Sequence, residues 1–284
     1  MATPSALETG KPASNASSHP EKPDPQPSAL FSKDWTLGPI VSTHGELILL
    51  SHCLATGLVD AASFSNWGVF CGMQTGNTVI LGLSTATVPT NPHAWLTTLV
   101  SIASFLAGAF FTFRLTWALP GGGAPTSSRL YFASILALQA VLILISAALI
   151  QADVVPHNAA GVTTAANTTR IIDNVRIVCL LPPLAFQSGM QIAVSRLLGF
   201  NELPVNVLTS TYADLMGDKK LFHVRNVKRD RRVAAVVLLL GGAISAGWMM
   251  RSPAGMGGVL FLAGGIKAIT AVGAFLGMKR DMKV

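Results

Sequence analysis

The sequence predicts an all-α integral membrane protein with six transmembrane helices plus two broken or re-entrant half-helices. Half of the 284 residues are hydrophobic and only 12% are charged, whereas soluble domains carry about 25% charged residues. Several uninterrupted apolar runs reach the roughly 20 residues that a helix needs to cross about 30 Å of hydrocarbon. The order of the segments also indicates an inverted repeat in which each half contributes three spans.

The chain begins with a polar tail and continues as one helical membrane domain. Residues 1–44 are rich in Pro, Ser, Ala and charge and lack the apolar core of a signal peptide, so we interpret them as disordered. Residues 45–280 form the predicted membrane domain. Its apolar segments are 45–66, 68–87, 94–118, 130–150, 175–200, 204–216, 233–250 and 255–278.

Two of these segments are predicted not to cross the bilayer. The segment 204–216 has only thirteen residues and ends before a glycine, so it is too short for a spanning helix. The segment 68–87 is long enough, but the polar stretch QTGNT lies at its centre. Non-helical backbone at membrane depth survives only when it is buried in protein or faces water. Both segments are therefore predicted to be re-entrant or broken half-helices.

The two half-helices occupy the same place in a predicted repeat. Each follows a segment with a polar stripe and precedes two clean apolar spans, which gives halves of about 45–151 and 175–278. Aligning TGLVDAAS with QSGMQIAV places Asp60 on Gln191. If the half-helices do not cross, each half contributes three spans. The halves then have opposite orientations, as in inverted-repeat transporters.

The positive charge is concentrated in the loop 217–232, which holds seven basic residues and only two acids. The positive-inside rule predicts such basic runs in cytoplasmic loops, so we favour a solvated cytoplasmic connection over a nucleic-acid-binding segment. Both termini are then predicted to be cytoplasmic, and the loop 151–174, with a glycosylation sequon at Asn167, lies outside. Charge counting gives nearly the same bias for eight spans, so it does not separate six spans from eight. The plasma membrane is the default location.

Polar side chains at membrane depth face the bundle interior or a wet cavity, and they therefore mark candidate sites. On the first span they follow helical spacing along one face, and they are His52, Thr56, Asp60 and Ser63. On the fifth segment they recur every fourth residue, and they are Gln187, Gln191 and Ser195.

Lys267 lies near the middle of the last span, too deep for its ammonium group to reach the membrane surface easily. Asp60 or Asp214 is its expected counter-ion. Such a pair is either a structural contact that fixes helix packing or a proton or substrate relay, and the sequence leaves both interpretations open.

The stretch QTGNT combines backbone freedom with side-chain donors and acceptors. Gly76 permits unusual dihedral angles, and the end of a half-helix directs unpaired N–H or C=O groups toward an ion or solute. The alternative is that these small polar residues only bond to neighbouring helices. The predicted substrate-binding residues are Asp60, Gln74, Thr75, Gly76, Asn77, Thr78, Gln187, Gln191, Thr209, Thr211, Asp214 and Lys267.

The run GLVDAASFSNWGVFCGMQTGNTVILGLS, with its Gly-x-x-Asp-Ala and Thr-Gly-Asn-Thr elements, is followed by SFLAGAFF and AFQSGMQIAV. This combination resembles the YoaK family, multi-pass membrane proteins of bacteria and fungi classed as a domain of unknown function. The resemblance covers about residues 45–280 and implies six spans, but no established substrate or reaction. Ser210 stands where the family more often has the glycine of a second Thr-Gly element.

These patterns favour a small-solute transporter or channel-like permease with a polar site near the bilayer midplane, between the half-helices. The alternative is a non-catalytic scaffold or assembly subunit that binds anionic lipid or a protein partner through its basic loop. An intramembrane enzyme that uses Asp60 or His52 as acid or base is the weakest alternative and is not predicted, because one His and one Asp on a helix supply no nucleophile, metal set or cofactor cradle. No cofactor is expected. The expected partners are the lipid bilayer, an unknown small solute or ion, and anionic lipid, without nucleic acid; homo-oligomerisation stays open.

Overall fold

The computed structural model describes residues 32–41, 44–119, 124–159, 171, 174–203 and 205–279. Most of the predicted tail and the Asn167 sequon lie outside these described residues. Within them the chain forms nine α-helices, which are α1 Lys33–Leu37, α2 Gly45–Trp67, α3 Gln74–Ser84, α4 Ala94–Trp117, α5 Arg129–Gln151, α6 Leu181–Leu197, α7 Thr209–Met216, α8 Val227–Arg251 and α9 Gly255–Gly277. Two 3-10 helices, Pro125–Ser127 and Val175–Leu180, precede α5 and α6.

Six of the nine helices are long and apolar enough to cross a membrane: α2, α4, α5, α6 with its preceding 3-10 turn, α8 and α9. The remaining three are short. The prediction of six spans plus two half-helices is therefore confirmed for the described residues. Of the six spans, α4 and α8 have the smallest buried share, so they lie at the periphery of the bundle.

Local sequence signals explain several helix ends. Ser128 and Asn226 accept a hydrogen bond from the backbone N–H three residues further on, and thereby cap α5 and α8. Pro182 and Pro183 lie in the first turn of α6, where proline removes no intrahelical hydrogen bond. Gly68 ends α2 in the left-handed region, with φ of 67°, a conformation that glycine adopts without steric cost.

Both ends of the described chain lie at one face of the bundle, called here the terminal face. There the backbone N–H of Val41 donates to the carbonyl of Lys279 (2.9 Å). Arg231, near the start of α8, pairs with Glu46 at the start of α2 (3.5 Å), so the basic loop 217–232 also lies at this face. The helix order then places the ends of α2 and α5 at the opposite face.

The first re-entrant segment, residues 68–84, enters from the opposite face. After Gly68 the chain turns back along α2, until the N–H groups of Cys71 and Gly72 donate to Asp60 Oδ1 (2.9 and 2.7 Å). Asp60 is seven residues before the end of α2. The helix α3 then returns to the same face, and its 11 residues span roughly 16 Å, about half of the hydrocarbon.

The second re-entrant segment, residues 198–216, enters from the terminal face. It turns back along α6 until Asn206 Nδ2 donates to the carbonyl of Ser188 (3.0 Å), nine residues before the end of that helix. The helix α7, with 8 residues, then returns over roughly 12 Å. The two segments therefore enter the bundle from opposite faces.

The spans associate mainly as three pairs: α2 with α8, α4 with α6, and α5 with α9. Gly57 and Gly242 meet in the first pair, and Gly108 and Gly189 lie in the second. A Cβ atom at any of these four positions would collide with a carbonyl oxygen of the partner helix, so the glycines permit close backbone approach. In the predicted repeat α2 corresponds to α6, α4 to α8 and α5 to α9. If each helix is exchanged for its counterpart, the same three pairs result, as an inverted repeat requires. The repeat itself stays a prediction.

Candidate functional site

Asp60 holds the first re-entrant segment in place by accepting hydrogen bonds from the backbone of that segment. Its Oδ1 accepts the N–H groups of Cys71 and Gly72, just before the start of α3. Hydrogen bonds to an ionised acceptor are about twice as strong as neutral ones, and the N-terminus of a helix also favours a negative charge. Asp60 therefore stabilises the turn that carries the chain back into the bundle.

Asn77 closes the same turn with its amide group. Its Oδ1 accepts the N–H of Phe70 (3.0 Å), and its Nδ2 donates to the carbonyl of Phe70 (2.7 Å), to Gln74 Oε1 (2.8 Å) and to Ser101 Oγ (3.1 Å). The side chain is fully buried. Asn77 thus gives the N–H and C=O groups of Phe70 the hydrogen-bond partners that hydrocarbon cannot provide. We call Asp60, Gln74, Asn77 and Ser101 the loop-anchoring cluster.

The other predicted residues of α3 lie outside this hydrogen-bonded cluster. Thr75 and Thr78 are exposed, and Thr78 donates to the carbonyl of Gln74 in its own helix (2.8 Å). Gly76 lies under the ring of Phe70, where a Cβ atom would be 3.0 Å from two ring carbons. The polar stretch QTGNT therefore bonds mainly to the protein itself.

Lys267 is almost completely buried, with 1% of its surface exposed. Its Nζ donates to Gln139 Oε1 (2.8 Å) and to Gln187 Oε1 (2.6 Å). The predicted ion pair with Asp60 or Asp214 is wrong. Asp60 is bonded to the re-entrant backbone, and Asp214 is half-exposed and faces Arg232 (3.5 Å). In the described parts of the chain, no carboxylate lies within 4.0 Å of the Lys267 ammonium group.

A chain of buried amides continues from Lys267 along α6. Gln187 Nε2 donates to Ser188 Oγ (2.8 Å), and Asn206 Nδ2 donates to the Ser188 carbonyl. One turn further, Gln191 Nε2 donates to Thr56 Oγ1 (2.7 Å) and to Asn206 Oδ1. Gln191 therefore ties the second re-entrant segment to α2 and α6.

Two buried side chains next to this network have polar atoms without a partner. Among the described residues, neither ring nitrogen of His52 has a hydrogen-bond partner, and Gln139 Nε2 has no acceptor. Both side chains are fully buried. Contacts on both sides of His52 place it beside this network: Ser51 bonds to Thr270 of α9, and Thr56, one turn further along α2, bonds to Gln191. We call the whole group the central cluster, and it consists of His52, Thr56, Gln139, Gln187, Ser188, Gln191, Asn206 and Lys267.

The structure thus divides the predicted site into two places. Gln187, Gln191 and Lys267 meet in the central cluster, whereas Asp60, Gln74 and Asn77 meet in the loop-anchoring cluster. The predicted residues of α7 join neither: Thr209 is exposed, Thr211 donates to a carbonyl of its own turn, and Asp214 faces the basic loop.

Sequence reasoning missed four members of these clusters: Ser101, Gln139, Ser188 and Asn206. Gln139 carried a clear signal, because it is the one amide side chain inside the apolar run YFASILALQAVLILISAALI. Asn206 lies just before the second half-helix and could have been noted for the same reason. Ser101 and Ser188 carried no signal, since serines are common in apolar helices.

The terminal face carries a basic surface of a different kind. Phe222 and Val224, in the loop 217–232, are 94% and 92% exposed. Arg231 bridges Glu202 (2.8 Å) and Glu46. Burial alone raises the pKa of Glu202, but hydrogen bonds from its own backbone and from Arg231, with the charges of Arg231 and Lys228, outweigh burial and hold that pKa below its ordinary value.

The helices and the buried polar clusters define a multi-pass membrane protein. Residues 48–273 match the family described as "Protein of unknown function (DUF1275)", and the chain belongs to that family. The resemblance to YoaK proteins is consistent with this membership. Comparison with curated proteins and with solved structures finds no match.

Proposed function

We propose that the protein is a small-solute transporter or channel-like permease whose path passes the central cluster. The observation that carries this proposal is Lys267, a buried basic residue in a membrane span with amide oxygens as its described partners. Placing such a residue at the centre of a span costs about 3 kcal/mol on insertion scales. Well-packed apolar residues often stabilise a fold as well as buried ionic groups do, so packing alone does not account for this lysine.

The two re-entrant segments support the same proposal. They enter from opposite faces, and a buried amide side chain holds each in place: Asn77 bonds to the non-helical backbone of the first segment, and Asn206 of the second segment donates to the backbone of α6. In inverted-repeat transporters, discontinuous helices of this kind surround the solute site near the midplane. The inverted repeat of this chain is part of the proposal, and the pairing of α2 with α8 and of α4 with α6 supports it.

The orientation also belongs to the proposal. The basic loop and both described chain ends share the terminal face, and the positive-inside rule favours a cytoplasmic location for that face. The plasma membrane remains the default location. No catalytic role is proposed.

Flux through reconstituted protein tests the proposal. The purified chain is placed in liposomes, and uptake of a panel of small neutral, cationic and anionic solutes is compared with that of protein-free liposomes. The variant Lys267→Met keeps the length of the side chain but removes its charge. We expect flux of at least one solute in the native protein and none in Lys267→Met.

Val237→Ala serves as the matched control, because Val237 is 59% exposed on α8 and lies outside both clusters. Its flux should equal that of the native protein. Equal flux in folded Lys267→Met and in native protein would overturn the proposal.

A second candidate is a scaffold or assembly subunit that docks on anionic lipid. The exposure of Phe222 and Val224 beside basic residues favours it, since such loops bind anionic headgroups and insert their apolar side chains. Exchange of Lys219 and Lys220 for glutamine should then weaken retention of phosphatidylserine by the purified protein, and the native protein in liposomes should show no solute flux.

A further inference from the structure

We infer that the central cluster binds a small monovalent anion, held jointly by Lys267, Gln139 and His52. This inference rests on the proposed function in one respect, because it makes the anion the transported solute. Its physical basis is separate, and it consists of the donors and acceptors within the cluster.

The ammonium group of Lys267 determines how its neighbours are oriented. A protonated lysine has three N–H donors and no acceptor, so Gln139 and Gln187 must both present their amide oxygens to it, as they do. The Nε2 of Gln187 then donates to the Leu184 carbonyl and to Ser188 Oγ. The Nε2 of Gln139 has no acceptor among the described residues, which leaves a buried donor beside a buried cation.

His52 adds a second donor to the same place. An imidazole carries at least one N–H in either tautomer, and no acceptor for it is present in the described structure. The ring is fully buried and lies between Ser51, which bonds to Thr270 one turn from Lys267, and Thr56, which bonds to Gln191. Among the residues that the structure describes, the cluster therefore combines one positive charge with two unpaired donors, and no carboxylate lies within 4.0 Å of Lys267.

An anion is the ligand that satisfies this arrangement. A buried charge without a counter-charge and a buried donor without an acceptor are both unfavourable, and one negatively charged oxygen or halide relieves both. A cation would be repelled by Lys267, and a neutral solute would leave its charge uncompensated. A carboxylate and an inorganic anion have the required chemistry in common.

A crevice leads from the terminal face toward this site. It has a volume of about 320 Å³, follows the seam between α2 and α9 from His44 and Met278, and ends at Ser51 and Thr270. The hydroxyl groups of these two residues share a hydrogen bond (2.9 Å). Ser51 adjoins His52, and Thr270 is three residues after Lys267, so the crevice stops within one helical turn of the cluster.

Thermal unfolding of the purified, detergent-solubilised full chain tests the inference. The probes are the sodium salts of chloride, nitrate, formate and acetate, compared with sodium gluconate at the same ionic strength. A ligand that binds only the native state raises the unfolding midpoint increasingly with its concentration. We expect a rise for at least one probe. A response to formate or acetate alone identifies a carboxylate, and a response to chloride or nitrate identifies an inorganic anion.

The decisive variant is Gln139→Glu, which places a carboxylate beside Lys267 within the chain itself. We expect it to abolish the anion-dependent rise and to raise the midpoint in gluconate. Val237→Ala is the matched control, because Val237 is exposed on α8 and lies outside both clusters, and it should keep the rise. Lys267→Met should lose the rise.

An unchanged midpoint of native protein across all four salts would overturn the inference, and so would an undiminished rise in folded Gln139→Glu. If the variants do not fold, the native series alone decides. Anion binding without flux would refute the transporter but keep the site. Flux of a neutral solute or a cation without anion binding would refute the site but keep the transporter.

Discussion

The loop-anchoring cluster and the central cluster both contain buried amide side chains, but these side chains have different roles. Each connects a re-entrant segment to the bundle through a buried amide: Asn77 bonds to the backbone of the first segment, and Asn206 of the second segment donates to the Ser188 carbonyl of α6. In the loop-anchoring cluster the amide of Asn77 is fully engaged. In the central cluster Gln139 and His52 have polar atoms for which the described part of the chain offers no partner. Satisfied polar groups stabilise a fold, whereas unsatisfied ones destabilise it, so the difference separates a structural cluster from a candidate binding site.

The largest expected effect on stability is that of Asn77→Leu. The substitution removes the partners of the Phe70 N–H and of Gln74 Oε1, whereas the Phe70 carbonyl keeps the hydrogen bond from Ser101 Oγ (2.7 Å). We expect it to lower the free energy of unfolding by about 3 kcal/mol. Unfolding in mixed detergent micelles measures this. Thr75→Val, at an exposed position of the same helix, should change little. A stable Asn77→Leu protein would mean that the turn does not depend on this cluster.

Asp60→Asn should have a smaller effect. The amide oxygen of asparagine can still accept both backbone N–H groups, but it lacks the negative charge, so we expect a loss of about 1–2 kcal/mol in the same unfolding assay. Flux per folded molecule provides the sharper comparison. Retained flux would limit Asp60 to anchoring the turn, whereas lost flux in a folded variant would extend the substrate path to the loop-anchoring cluster.

His52→Leu should change stability in the opposite direction. Because the ring nitrogens of His52 have no partner in the described structure, an apolar replacement removes an unsatisfied buried group and should stabilise the fold by about 1 kcal/mol. The same variant should lose the anion-dependent rise in its unfolding midpoint. Destabilisation as large as that of Asn77→Leu would show that His52 has a structural partner, and the contrast between the clusters would fail.

The smallest expected effect concerns Glu202, which ties the second re-entrant segment to Arg231 at the terminal face. Its folded pKa is lowered, so its stabilisation is present above the ordinary pKa of glutamate and is lost as pH falls through the folded pKa. We expect roughly 0.5 kcal/mol for this partly exposed pair. The stability difference between native protein and Glu202→Gln, followed from neutral to acidic pH, should shrink; a constant difference would contradict the role of this charge.

The spans and half-helices were predictable because length and hydropathy decide whether a helix can cross a bilayer. The grouping of Gln187 and Gln191 followed from their spacing. The partners of Lys267 did not, because Gln139 lies on another span and sequence does not specify which spans become neighbours. Thr75 and Thr78 illustrate a second limit. In α3, polar residues cover several sides of a short helix, so no periodicity selects the side that faces the protein.

The glycine contacts have a consequence for biosynthesis. Gly57 in α2 meets α8, and Gly108 in α4 meets α6, so each close contact joins an early helix to one synthesised much later. The early helices must therefore wait in the membrane, incompletely packed, until the second half of the chain has been inserted. Neither half is a self-sufficient folding unit, and two separately expressed halves would need each other to reach the native bundle.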